Sequence, residues 1–309
     1  MPNANRRQFI AALGAQAVAP LWKTAADAEP ILDIHQHTNY IVQGSRRRTD
    51  QDLVAHQAYH RVTTTILQPG AGWLLSEIGD NPSCAALEAD YPNLFVRFTC
   101  ADPAESRALD VLRGNIKRGA IGFGEMKFPF AVDSPEMHRV YKLAEELGCP
   151  VLIHFQYETY DTGLERFPAI LKAYPNVTFI AHAQTWWGYI SADLNPLDLY
   201  PKGPVRPGGL TDHLLADYSN LYGDLSADSG LNAITRDPDF ARGFIERHSR
   251  KLIWGSDCNC IDGKGGGVSE GYCIARRSLA ALRKLVPSEA VFRRMVYENG
   301  APLLRLNRK

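Results

Sequence analysis

Asp33-Ile34-His35-Gln36-His37 follows a short apolar entry and carries two histidines one residue apart. Side chains alternate faces along a strand, so Asp33, His35 and His37 are expected on one side. Two imidazoles a few ångströms apart on one face can grip a single transition-metal ion. Four more polar residues stand at the ends of short apolar runs. They are Glu125 in Gly124-Glu125-Met126-Lys127, His154 after Pro150-Val151-Leu152-Ile153, His182 after Phe179-Ile180-Ala181, and Asp257 after Trp254-Gly255-Ser256. Each alone has a plain explanation: a core histidine satisfied by a hydrogen bond, or an aspartate serving a turn. But the chain has nine histidines, and four of them fall in such places. A buried group of imidazoles is costly without a metal ion or protons. A metal centre is therefore the expected reading.

The elements that must position these residues alternate in kind. Strand-like runs cover 31–35, 62–67, 94–99, 121–126, 151–155, 177–181, 221–225 and 252–254. Helical patterns fill 50–60, 82–90, 104–118, 135–147, 164–174, 210–216, 240–248, 274–285 and 289–304. Strands separated by helices imply a parallel sheet with helical crossovers. Eight such units predict an α/β fold, a single (β/α)8 TIM barrel over 29–309. An open doubly wound sheet would place a Gly-rich phosphate loop after its first strand, where this chain has His-Gln-His. Barrel enzymes carry their chemistry at the C-terminal ends of the strands. His35, His37, Glu125, His154, His182 and Asp257 would then meet at one mouth.

As a set, His-x-His on strand one, His on strands five and six, and Asp on strand eight resembles the amidohydrolase superfamily. The stretches ending in His154, His182 and Asp257 are similar to its branch that includes aminocarboxymuconate-semialdehyde decarboxylase. Tyr297-Glu298-Asn299-Gly300-Ala301-Pro302-Leu303-Leu304 is similar to the Asn-Ala closing helix of that branch. The resemblance runs over about 31–306. It implies one divalent ion, zinc first, with manganese or iron as alternatives, on His35, His37, His154 and Asp257. It also implies that His182 acts as acid/base or polarises the substrate. Asp257 would take the proton of a metal-activated water and pass it to the leaving group. Glu125 is a further candidate ligand. A Glu on strand four resembles the TatD-like nucleases, so Glu125 could bridge to a second ion on His154 and His182, or pair with Lys127. One metal is the expectation.

The implied reaction is hydrolysis of an ester, lactone or amide bond in a small organic molecule. The alternative on the same frame is non-oxidative decarboxylation of an aromatic or unsaturated acid. A TatD-like nuclease and a non-catalytic metal-binding barrel complete the readings. For the substrate, Gln156 and Tyr157 follow His154, and Lys127 and Arg206 could hold a carboxylate. Trp186 and Trp187 could wall a flat substrate, or brace the long Pro/Gly-rich segment 193–209. That segment is a candidate lid or oligomer contact, and a homodimer is a further expectation. His56 and His60 are read as a polar helix face, His138, His213 and His248 as helix-surface residues, and Arg46-Arg47-Arg48 as a solvated loop.

The balance of 34 basic and 34 acidic residues argues against a nucleic-acid surface. At the N-terminus, Arg6-Arg7-Gln8-Phe9 precedes a run poor in charge and then Ala26-Asp27-Ala28. Positive start, apolar middle and A-x-A end describe an export signal, and the Arg-Arg pair resembles a twin-arginine signal over 1–28. The apolar part is too short for a stable membrane span. The expected location is periplasmic or secreted. Six cysteines lack the C-x-x-C pairs of a structural zinc site. Cys258, Cys260 and Cys273 lie close in sequence, where one disulfide or free thiols are both open.

Overall fold

The apolar runs become eight short parallel strands, because β-branched and aromatic residues between helices bury both faces of a parallel sheet. They are β1 (Leu32–Gln36), β2 (Thr64–Leu67), β3 (Phe95–Arg97), β4 (Phe123–Met126), β5 (Val151–His154), β6 (Phe179–His182), β7 (Leu221–Asp224) and β8 (Leu252–Ile253). This computed structural model describes residues 29–268, 271–304 and 306. The strands form two ladders, β1-β2-β3 and β4 through β8 in order. A parallel bridge between Thr99 and Phe123 joins them on one side. On the other, the amide of Ile34 donates to Trp254 O at 3.4 Å and that of Asp257 to His35 O at 2.8 Å. The sheet closes on itself as the expected (β/α)8 barrel.

Local sequence sets the helices. The helix α1 (Asp50–Tyr59) starts at a capping box, with Thr49 Oγ1 accepting from the amide of Asp52 and Asp52 accepting from that of Thr49. Between α2 (Asn81–Asp90), α3 (Ala108–Lys117) and α5 (Phe167–Ala173) lies α4 (Pro135–Leu147). Ser134 caps α4, proline opens its first turn, and Gly148 ends it at φ +61°, where a Cβ would strain. Next come α6 (Gln184–Gly188), α7 (Leu210–Asp217), α8 (Ala227–Thr235), α9 (Pro238–His248), α10 (Ile274–Leu285) and α11 (Glu289–Arg293). Leu32, Ile34, Ile66, Leu152, Ile180 and Ile253 form an apolar floor that Leu304 closes. The polar strand ends stand above it.

Several expectations change. Asp33 does not face the centre with the histidines. The register of β1 shifts between Asp33 and Gln36, and the Asp33 carboxylate accepts from Gln57 on α1 instead. The sequence pattern passes over α8, whose Ser229 and Gly230 dilute its helical signal. The predicted helix over 289–304 divides into α11, a π-helical turn (Arg294–Glu298) and a last helix (Gly300–Leu303). Arg48 is not solvated: it is 1% exposed. His56 is fully buried and His60 nearly so, against the cysteines rather than on a polar face. His248 is buried and donates to Asp212. Cys258 and Cys273 stand with sulfurs 3.8 Å apart, too far for a disulfide. The export sequence lies outside the described residues. Among the described residues no helix is long and apolar enough to cross a membrane.

Candidate metal centre

At the end of β1, the Nδ1 of His35 meets Asp224 Oδ2 at 2.7 Å, and the Nδ1 of His37 meets Gln68 O at 2.7 Å. A carboxylate and a carbonyl only accept, so each ring carries its proton on Nδ1. Both Nε2 lone pairs then turn inward, 3.2 Å apart. Two lone pairs at that distance repel unless a proton or metal ion lies between them. Bonds of about 2.0–2.1 Å in tetrahedral array put two nitrogens about 3.4 Å apart, so the spacing fits an ion. Asp257 Oδ1 completes the set 3.4 Å from His37 Nε2, and the hydroxyl of Tyr40 donates to that oxygen at 3.1 Å.

Beside it stands a second group. His154 and His182 are direct partners across the β5–β6 ladder, which sets them side by side. His154 Nδ1 lies 2.5 Å from Glu125 Oε1, and His182 Nε2 lies 3.8 Å from the same oxygen. Glu125 Oε2 reaches back to His35 and His37 at 3.8 and 3.7 Å. His35, His182 and Asp224 make one group spaced so that it could hold an ion, and His35, His37 and Asp257 make another beside Glu125, His154 and His182. Glu125 lies between them. By distance His154 stands with Glu125 and His182.

The charges of the centre ask for a cation. Burial opposes ionisation of Glu125, but the neighbouring His154 and Lys127 outweigh it and hold the carboxyl well below its usual range. For Asp257, burial is likewise outweighed by His35 and His37, and its pKa falls. Burial would discharge His35, yet Asp257, Asp224 and Glu125 raise its pKa well above the ordinary value. Positive charge is therefore stabilised between these carboxylates. His182 differs. Burial lowers its pKa to about 4, so it is neutral at pH 7. Its Nδ1 faces Ser226 Oγ at 3.1 Å and Asp224 Oδ2 at 3.4 Å, which leaves Nε2 an acceptor or ligand.

The substrate candidates divide. Gln156 Oε1 lies 3.3 Å from His154 Nε2, at the mouth. Lys127 is half-buried, its Nζ 5.5 Å over the ring of Trp73 and 5.6 Å over that of Tyr160. These two rings stack at 5.3 Å, so the ammonium is held by cation–π attraction near Glu125. Trp186 and Trp187 are 0% and 2% exposed. Trp187 donates its indole N–H to Asp224 O. Their burial supports the brace rather than the wall. Arg206 is exposed on its loop, whose backbone is pinned by Ser191. A cavity of about 340 Å³ lined by Gln156, Tyr157, Asp161 and Thr185 adjoins His154. Larger hollows of about 700 and 730 Å³ are lined by none of the six strand-end histidines and carboxylates, so size alone does not mark the site.

Three participants escape a reading of the sequence. Asp224 is the last residue of β7, so the strand-end argument reaches it once its run is read for polar ends. Ser226, which donates to Asp224, and Tyr40 lie in loops, where spacing gives no signal.

The family model described as Amidohydrolase matches residues 21–306. No curated protein matches. Among solved structures, a probable 2-pyrone-4,6-dicarboxylic acid hydrolase from Acinetobacter baumannii is similar at 14% identity and a TM-score of 0.60, covering 89% of this chain and 99% of that one. A 2,6-dihydroxybenzoate decarboxylase complexed with 2,6-dihydroxybenzoate is similar at 14% identity and a TM-score of 0.58, over 91% and 100%. A dihydroxybenzoic acid decarboxylase from a Polaromonas species, with bound manganese and 2-nitroresorcinol, is similar at 12% identity and a TM-score of 0.54, over 91% and 98%. At these identities the likeness speaks for the shared fold.

Proposed function

The chain belongs to the amidohydrolase family, and from that premise we propose that it is a metal-dependent hydrolase cleaving an ester, lactone or amide bond in a small organic acid. The observation that carries this is the His35–His37 pair, with Nε2 atoms turned inward at 3.2 Å and closed by Asp257. His35, His37 and Asp257 would hold one divalent ion, zinc first and manganese or iron as alternatives, with Glu125 a further ligand. When bound, such an ion activates water at neutral pH and polarises the carbonyl under attack.

The chain's own groups do the rest. Tyr40 occupies Asp257 Oδ1, so Oδ2 is the oxygen left to receive a proton from the attacking water and return it to the leaving group. His182, neutral with its Nδ1 committed, presents Nε2 3.9 Å from that oxygen. It can accept a hydrogen bond from the water and so orient it. Lys127 supplies the cation that seats a carboxylate. Export through the Arg6-Arg7 sequence would place the folded enzyme in the periplasm. Fractionation of cells expressing the full chain and its Arg6→Lys/Arg7→Lys form tests this: the variant should stay cytoplasmic.

A second reading is non-oxidative decarboxylation of an aromatic or unsaturated acid. Lys127 against the stacked Trp73 and Tyr160 favours it, since a flat acid would find a cation and aromatic faces together. The test is metal-loaded full-length protein offered lactones, esters and amides of small acids in one panel and aromatic acids in another, with acid release and carbon dioxide as readouts. Hydrolysis lost in Asp257→Asn supports the first reading. Carbon dioxide release alone selects the second, and inactivity on both panels overturns the hydrolase.

A further inference from the structure

Away from the strand ends, α1, the loop after β8 and the start of α10 bring four buried donors to one point: His56, Cys258, Cys260 and Cys273. One ligand atom from each lies within 4.8 Å of all the others. Cys258 Sγ is 3.8 Å from Cys273 Sγ, and Cys273 Sγ is 3.9 Å from His56 Nε2. A disulfide needs about 2.05 Å. Metal–sulfur bonds of about 2.3 Å in a tetrahedron set the sulfurs about 3.8 Å apart, and a sulfur and a nitrogen about 3.6 Å apart. The cluster is spaced as the shell of one ion.

The histidine is prepared for that role by a chain of hydrogen bonds. The Gln57 amide nitrogen donates to Asp33 Oδ2 at 3.0 Å and Thr65 Oγ1 at 2.8 Å. Asp33 also receives the amide and hydroxyl of Ser256, as a carboxylate does. Gln57 therefore turns its carbonyl oxygen to His56 Nδ1, 3.0 Å away. That oxygen only accepts, so the His56 proton is on Nδ1 and the Nε2 lone pair points into the sulfurs. His60 Nε2 reaches Cys273 Sγ from outside the set at 3.5 Å, where it can donate to a thiolate.

We propose that His56, Cys258, Cys260 and Cys273 form a second, structural metal site that takes one thiophilic divalent ion, zinc before others. Four protein ligands close the tetrahedron, and such closed sites hold structure rather than react. On binding, the three thiols release their protons to solvent. A divalent ion with three thiolates carries a net single negative charge, and the buried Arg48 guanidinium lies beside it. Arg48 donates to Cys258 O at 2.6 Å and Cys260 O at 3.3 Å. Cys258 directly follows Asp257, so the ion would fasten the loop that carries this catalytic aspartate to α1 and α10. This site stands whether the barrel is a hydrolase or a decarboxylase.

Full-length protein grown with zinc is examined by elemental analysis and by X-ray absorption at the zinc edge. The expected spectrum contains sulfur at about 2.3 Å, a contribution the strand-end ligands cannot supply. Cys260→Ser and Cys273→Ser should each lose one equivalent of zinc, while His37→Ala keeps the sulfur signal. Should the cysteine variants fail to fold, cobalt-loaded wild type still decides, through thiolate-to-cobalt charge-transfer absorption. A zinc shell of nitrogen and oxygen only, no such absorption, or a disulfide among these cysteines in non-reducing peptide mapping overturns the site.

Discussion

Asp224 Oδ2 lies 2.7 Å from His35 Nδ1, although 189 positions separate the two residues. The contact fixes the proton on Nδ1 and aims Nε2 inward, and a carboxylate behind a ligating histidine also raises its basicity. Asp224→Asn keeps the shape but loses the charge. It should weaken divalent-metal affinity at the strand ends about 10–100-fold, measured by titration against a chelator of known affinity. Unaltered affinity would remove Asp224 from the site's support.

Glu125 joins the two ligand groups through its two oxygens. With Gln in its place the charge is gone and one oxygen becomes an NH₂ group, which can neither bind a cation nor accept the N–H of His154. Glu125→Gln should lose strand-end metal on dialysis against chelator at least about tenfold faster than wild type, as expected for the loss of a charged ligand. Metal counts before dialysis also separate the readings. A wild type holding two strand-end ions and a variant holding one would identify Glu125 as a bridge; retention equal to wild type would exclude it as a ligand.

The barrel and most of its mouth were legible because each strand is an apolar run that ends abruptly in a polar residue. His154 and His182 stand out for that reason, and the ladder then pairs them directly. What was not legible depends on contacts far apart in sequence. His56 and Cys273 are 217 positions apart, and no local spacing announces their meeting. Arg48 sits in a basic triplet that looks solvated, yet only Arg46 and Arg47 keep contact with water. Asp33 obeys alternation until the register of β1 shifts. That shift lies in backbone pairing, which side-chain pattern does not encode.

Lys127 is held over Trp73 and Tyr160 rather than tied to a carboxylate oxygen, so its charge is free to meet an acid. Lys127→Met keeps the length and stacking area and deletes the charge. KM for a carboxylate substrate should rise about 10–100-fold, from a charged hydrogen bond of about 1.5–3 kcal/mol, with kcat changed much less. An equal fall in kcat with KM constant would mean that Lys127 acts on the reacting bond instead.

The pair formed by buried His248 and half-buried Asp212 predicts how stability responds to acid. Burial opposes the charge of Asp212, but hydrogen bonds from His248 and Arg247 prevail and its pKa is lowered. A depressed carboxyl contributes stability above its unfolded pKa of about 3.9, and that contribution disappears as pH falls through the folded value. Burial also lowers the pKa of His248, so the unfolded chain takes that proton first and stability declines below about pH 6.5. Asp212→Asn should cost about 1–3 kcal/mol at pH 7. It should also flatten the stability profile below about pH 4, followed by urea unfolding across pH. A variant profile parallel to wild type at every pH would dismiss the pair.

Arg48 is a buried cation that joins the two candidate metal-ligand regions. One nitrogen of its guanidinium donates to Cys258 O and Cys260 O, and the other to Gln36 Oε1 at 2.5 Å and His37 O at 2.7 Å. It thereby ties the Asp257–Cys260 loop to the end of β1. Arg48→Met fills the volume but leaves these acceptors unpaired, which should lower stability by about 3–5 kcal/mol. In urea the midpoint should fall with the slope unchanged, since the buried area is conserved. Arg48→Lys should recover only part, because one ammonium cannot serve four acceptors with the geometry of a fork. Loosening the loop also releases Asp257, so kcat should fall in both variants in the order of their stability loss. A stable Arg48→Met protein with wild-type kcat would show that the loop holds its place without this guanidinium.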